Sequence, residues 1–125
     1  MKKLLLLGLM LAAQACLAAD YFGAIVYSTK SGANGWAKDH PSREAAERAA
    51  VDECRKHAQD CRPVLWFKNG CGAIAVSAKV YGWGWGTTQK LADTEAVKAC
   101  TKHAEGCKVT VQACTTPSSP RPPRK

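Results

Sequence analysis

Residues 45–61 read AAERAAVDECRKHAQDC, and residues 91–107 read LADTEAVKACTKHAEGC, 46 positions later. Ala46, Ala50, Val51, Cys54, Lys56, His57, Ala58 and Cys61 return as Ala92, Ala96, Val97, Cys100, Lys102, His103, Ala104 and Cys107. The likeness extends upstream, where Gly35-Trp36 matches Gly82-Trp83 and Gly23-Ala24-Ile25 matches Gly72-Ala73-Ile74. Self-similarity at a fixed period marks a duplicated supersecondary unit. Two copies are too few for a solenoid, so the repeat predicts one domain with pseudo-twofold symmetry.

Each copy reads as strand, short strand, helix, strand. Residues 21–28 are rich in β-branched and aromatic side chains, and Ser31-Gly32 with Asn34-Gly35 supplies turn chemistry before Trp36. Ser42 and Thr88 are natural N-caps, since a hydroxyl can accept from an unpaired first-turn amide. The first helix is expected to run to about Ala58 and the second to stop near Gly106. Asn69-Gly70 lies between the apolar runs 64–68 and 71–78 and predicts a hairpin joining the two copies. Residues 108–114 close the second copy. The expected class is therefore α+β, a duplicated strand-strand-helix-strand unit with mostly antiparallel sheet and two helices.

The ends read differently from the middle. Lys2 and Lys3 precede an apolar run over residues 4–13, and small residues surround Cys16, Ala18 and Ala19. This is the layout of a bacterial secretory signal over residues 1–18, predicting a periplasmic or secreted protein. Cys16 also permits a lipoprotein signal, although Gln14 sits awkwardly beside it. Residues 115–125 hold four prolines and three basic residues with no large apolar group, and read as a disordered tail. The domain is expected to span residues 19–114. The whole chain carries a formal +8, but residues 20–116 hold 13 Lys and Arg against 10 Asp and Glu. That near balance argues against nucleic acid as the partner. No later segment has the length of a transmembrane helix.

Without Cys16, six cysteines remain, an even set suited to an oxidising compartment. Cys54 with Cys61 and Cys100 with Cys107 share the same C-x6-C spacing, which suggests local symmetric bridges, and elimination leaves Cys71 with Cys114. No C-x2-C knuckle favours zinc, and no metal or other cofactor is expected.

The segment YGWGWG alternates aromatic and glycine, so Tyr81, Trp83 and Trp85 share one strand face and three glycines the other. With Trp36, the equivalent in the first copy, these rings are the candidate binding residues. The favoured expectation is nonetheless that they form mainly core, with glycine letting an opposing helix or strand approach closely and one ring edge exposed. His57 and His103 occupy repeat-equivalent helix ends, where a dipole-complementing role is the ordinary one. Ser28 and Ser77 lie outside any nucleophile elbow. Asp39, Glu47 and Asp93 are the acids that could converge for general acid–base work, but no catalytic residue is assigned.

These motifs resemble a known family. The run from Trp66 through Asn69-Gly70-Cys71-Gly72-Ala73-Ile74, the YGWGWG segment and the two alanine- and cysteine-containing helices are similar to the bacterial family called domain of unknown function 4189. The resemblance covers roughly residues 21–114. It implies a small exported or periplasmic disulfide-bonded domain, with no reaction or catalytic residue to carry over. The expected function is an exported protein-interaction module without catalysis, of inhibitor, immunity or effector type, whose partner is an envelope or secreted protein. The alternative is a glycan or peptidoglycan binder using the exposed Trp and Tyr, and a hydrolase ranks last.

Overall fold

A hydroxyl residue starts each of the two helices. The Ser42 hydroxyl accepts from the Ala45 N–H at 3.1 Å, and the Thr88 hydroxyl accepts from the Leu91 N–H at 3.2 Å. The helices that follow are α1, Arg43–Arg55, and α2, Gln89–Thr101. Each buries a stripe at four-residue spacing, Ala46, Ala50 and Cys54 in one and Ala92, Ala96 and Cys100 in the other. Both end earlier than their sequences suggest, because the chain must turn back for Cys61 and Cys107 to reach Cys54 and Cys100. Gly106, at φ 73°, makes the second of these returns.

The computed structural model describes residues 20–116. Residues 1–18, read above as a secretory signal, with Cys16 among them, and most of the Pro-rich tail lie outside them. The strands are β1 Phe22–Tyr27, β2 Asn34–His40, β3 Arg62–Lys68, β4 Cys71–Val76, β5 Tyr81–Gly86 and β6 Lys108–Cys114. They form two separate three-stranded antiparallel sheets, β2-β1-β3 and β5-β4-β6. The first strand of each copy is central, and a register shift recurs at equivalent places, Ile25/Val26 and Ile74/Ala75. Among the described residues no helix is long and apolar enough to cross a membrane.

One expectation is corrected by this topology. Asn69-Gly70 is not a hairpin turn, because β3 and β4 belong to different sheets. Only Asn69 takes a positive φ, 48°, whereas a type I′ turn needs it at both central residues. Asn69 instead prolongs the β1–β3 pairing. Its N–H donates to the Tyr21 carbonyl, and its Oδ1 accepts from the Tyr21 N–H, each at 2.9 Å. The chain then leaves one sheet for the other through Gly70, whose missing side chain leaves room for the Gly86 carbonyl.

The layers are helix, sheet, sheet, helix. Ala24, Val26 and Ala37 meet α1, and Cys71, Ala73 and Ala75 meet α2. Ile25, Leu65 and Phe67 from one sheet pack on Ile74, Val111 and Ala113 from the other. Phe67 occupies the space over Gly23 and Gly72, where any side chain would collide with its ring. The disulfides are Cys54–Cys61, Cys100–Cys107 and Cys71–Cys114. The third joins directly opposed residues of β4 and β6. Its counterparts in the first copy, Phe22 and Lys68, are also directly opposed, and the Lys68 ammonium lies 5.9 Å from the Phe22 ring. A covalent bridge in one sheet thus answers a cation–π contact in the other.

Candidate functional site: a tryptophan groove at the edge of β3

Glycine decides which way the rings of β5 point. A Cβ on Gly82 or Gly84 would come within 3.0 Å of the α2 backbone at Ala96, Cys100 or Ala92, so this face of the strand is pressed onto the helix. Tyr81, Trp83 and Trp85 are thereby turned to the opposite side, the one that Ile74 shares as the cross-strand partner of Trp83. Sheet β2-β1-β3 does not extend far enough to cover them. Trp83 and Trp85 remain 48% and 58% exposed, and Trp36 and Trp66 remain 45% and 41% exposed. The expectation that the ladder forms mainly core is overturned. The glycines do admit the helix, and the cost of that close approach is that the indoles face outward.

Trp83 and Trp85 form one side of a groove of about 560 Å³ that runs along β3. Residues 64–68 line it, and Arg43 closes the far side. Trp66 carries the Arg43 guanidinium carbon 5.0 Å above its ring and has the Phe22 ring 6.2 Å away, centre to centre. Arg43 Nε donates to Glu47 at 2.6 Å, and Lys68 Nζ lies 3.3 Å from Asp20. The Asp20 carboxyl is held below its ordinary range, first by a hydrogen bond from Asn69 and then by Lys68.

The other candidate residues are placed elsewhere. Tyr81, at the opposite end of β5, packs on Tyr27 with ring centres 5.3 Å apart. Trp36 lines a second depression of about 410 Å³ with Asn34, His40, Glu53 and His57. His57 and His103 are exposed at the helix ends. Asp39, Glu47 and Asp93 do not converge. Asp39 accepts from the Thr116 N–H, Glu47 binds Arg43, and Asp93 binds the amides of Gln89 and Gln112. Ser28 is buried and donates to Asp60 at 2.6 Å, and Ser77 bonds within its own turn at Val80. All six cysteines of the described residues are paired, and no group of three His, Cys, Asp or Glu among those residues could hold a metal.

The family model described as "Domain of unknown function (DUF4189)" matches residues 22–114, from the first residue of β1 to the last of β6. The chain belongs to this family. Among its relatives, Protein Rv1269c of Mycobacterium tuberculosis is 40% identical over 80 residues, 64% of this chain and 61% of that protein. The "Uncharacterized protein Rv1813c" of the same organism is 37% identical over 79 residues, 62% of this chain and 51% of that one. The chain therefore spans less than two thirds of the length of these curated relatives. The NMR structure of Rv1813c superposes with a TM-score of 0.56 at 29% identity, covering 75% of this chain and 74% of that one. Within this DUF4189 domain, Trp66 and Arg43 are the groove residues that sequence reasoning passed over. Strand alternation could have found Trp66, since Leu65 and Phe67 point inward and force it outward. Arg43 had no local signal, because only the fold brings the start of α1 over β3.

Proposed function

We propose that this DUF4189 domain is an exported, non-catalytic binding module that recognises another protein of the envelope or extracellular space through the β3–β5 groove. The observation that carries the reading is the exposure of all four tryptophans of the chain, three of which line or flank one groove. Exposed aromatic side chains grouped with an arginine are the usual composition of interface hot spots. Six paired cysteines suit an oxidising compartment, and the leader-like residues 1–18 fit the same location. The groove walls are indole, aliphatic and phenyl groups with two cations, and no Asn, Gln, Asp or Glu lines them. Sugar sites place such planar polar groups beside the stacking ring, so a protein surface fits this groove better.

A specific observation favours glycan as a second reading at another place. The Trp36 depression does combine an indole with Asn34, Glu53, His40 and His57. The two readings separate in one experiment. The mature domain and its Trp83→Ala/Trp85→Ala and Trp36→Ala variants are presented to envelope extract and, separately, to soluble peptidoglycan fragments. A captured protein that is lost with the Trp83/Trp85 pair and kept with Trp36→Ala supports the protein reading. An indole fluorescence response to the fragments that disappears only in Trp36→Ala moves the function to glycan.

A further inference from the structure

Four strand edges have no partner strand among the described residues: the outer sides of β2, β3, β5 and β6. Proteins protect such edges with charge, proline, bulges or a covering segment. β2 carries Lys38 and Asp39, the latter at φ 62°, and Thr116 is bonded to both. β6 exposes Lys108, Thr110 and Gln112. β5 is half glycine and lies against α2. β3 is protected only at its ends, by Arg62-Pro63 with the bulged Val64 that follows them and by Lys68. Between them Leu65, Trp66 and Phe67 form a regularly paired run with no charge, no proline and no bulge.

The groove lies along that run. Residues 64–68 all line it, although from Leu65 to Lys68 successive side chains point to opposite faces. What these four consecutive residues can share with one groove is the backbone edge. Resting on the groove as the binding site proposed above, we infer that an extended segment of the partner protein adds to sheet β2-β1-β3 as a fourth strand along β3. Main-chain hydrogen bonds to every second residue of β3 supply affinity, and alternate side chains supply specificity. Those on one side lie on Trp83 and Trp85 and are apolar or aromatic. Those on the other side meet Trp66 and the half-exposed Arg43, whose Nε alone is engaged by Glu47, with Lys68 further along. The Arg43 Nη groups select an acidic residue there, while Lys68 is already paired with Asp20. The charge argument also excludes residues 117–125 as the occupant. They carry Arg121, Arg124 and Lys125, and their four prolines lack the N–H that strand pairing needs.

The probe is a synthetic seven-residue peptide alternating valine and glutamate, titrated into the disulfide-bonded domain by indole fluorescence. Two further peptides carry N-methyl groups on the odd or on the even amides. A strand donates only one set of amides to its neighbour, so one methylated peptide is expected to bind at least tenfold more weakly and the other to match the parent. A lysine-for-glutamate peptide is expected to bind at least tenfold more weakly, and the parent to slow amide hydrogen exchange in β3. Equal binding of both methylated peptides, or no response to any peptide, overturns strand addition while leaving the groove reading intact. A dimer in sedimentation that pairs through β3 makes a second copy the occupant and overturns the partner. A natural partner still captured by Trp83→Ala/Trp85→Ala overturns the groove reading itself.

Discussion

Gly84 shows how one missing methyl group shapes both the packing and the binding surface. A Cβ there would meet the backbone of Ala96 and Ala92 and the Cβ of Glu95, none of which can swing aside as a flexible side chain could. Gly84→Ala is therefore expected to cost about 1–3 kcal/mol through overpacking, measured by urea unfolding. Gly106→Ala meets nothing within 4 Å and suffers only from its φ of 73°. Its cost should stay near 1 kcal/mol, the scale of left-handed strain for one residue. A second residue-scale effect is ionic. The Ser28 hydroxyl donates to Asp60 and holds its carboxyl below the ordinary value of 3.8. A carboxyl depressed on folding contributes stability above its unfolded pKa, and that contribution is lost as pH falls through the folded value. Thermal unfolding should thus fall more steeply below about pH 4 in the wild type than in Asp60→Asn. An identical acid limb in both would show that the bond carries no stability.

At the scale of elements, the two helices are the part of the fold most readable in sequence. Their caps, their four-residue alanine stripes and their terminal cysteines are local signals, repeated twice. Ser42→Ala and Thr88→Ala should each cost about 1 kcal/mol, because each leaves a first-turn N–H without its hydroxyl acceptor. Circular dichroism during urea unfolding of both variants checks this, and an unchanged midpoint in either would deny its cap a role. The strands were less legible. Their existence follows from composition and alternation, but their assignment to two sheets does not. Asn69-Gly70 looks like a hairpin turn because its dipeptide chemistry is local, whereas the pairing of β3 with β1 and the packing of Phe67 against the other sheet are long-range contacts. The direction of the Trp ladder is hidden for a similar reason. Alternation says that Trp83 and Gly84 face opposite sides, but only the position of α2 says which side is covered.

At the scale of the molecule, the halves are alike in topology and unlike in cross-linking. Each has its own bridge from the helix end to the residue just before the following strand, at a sequence separation of seven in both copies. Only the second half has its central and edge strands joined covalently, by Cys71–Cys114 across 43 residues. A bridge stabilises chiefly by removing freedom from the unfolded chain, and loop-entropy scaling gives about 2.4 kcal/mol for the short loops and about 4 kcal/mol for the long one. The long loop encloses β4, β5, α2 and β6, so its loss frees the entire second copy. In the first copy the equivalent positions are held by Lys68 over Phe22, an exposed contact worth about 0.5–1 kcal/mol. Two results should follow. Cys71→Ala/Cys114→Ala should lose more stability in non-reducing urea than Cys54→Ala/Cys61→Ala. In the wild type, amides of β1 and β3 should exchange hydrogen sooner than those of β4 and β6, because sub-global opening starts where no covalent tie holds the strands together. Uniform exchange across both sheets would mean that they open as a single unit, with Phe67 and its neighbours between the sheets as the joint. The groove lies on the less constrained side of this asymmetry. β3, the strand proposed to receive a partner, belongs to the sheet without the bridge, where an added strand supplies pairing that no disulfide provides.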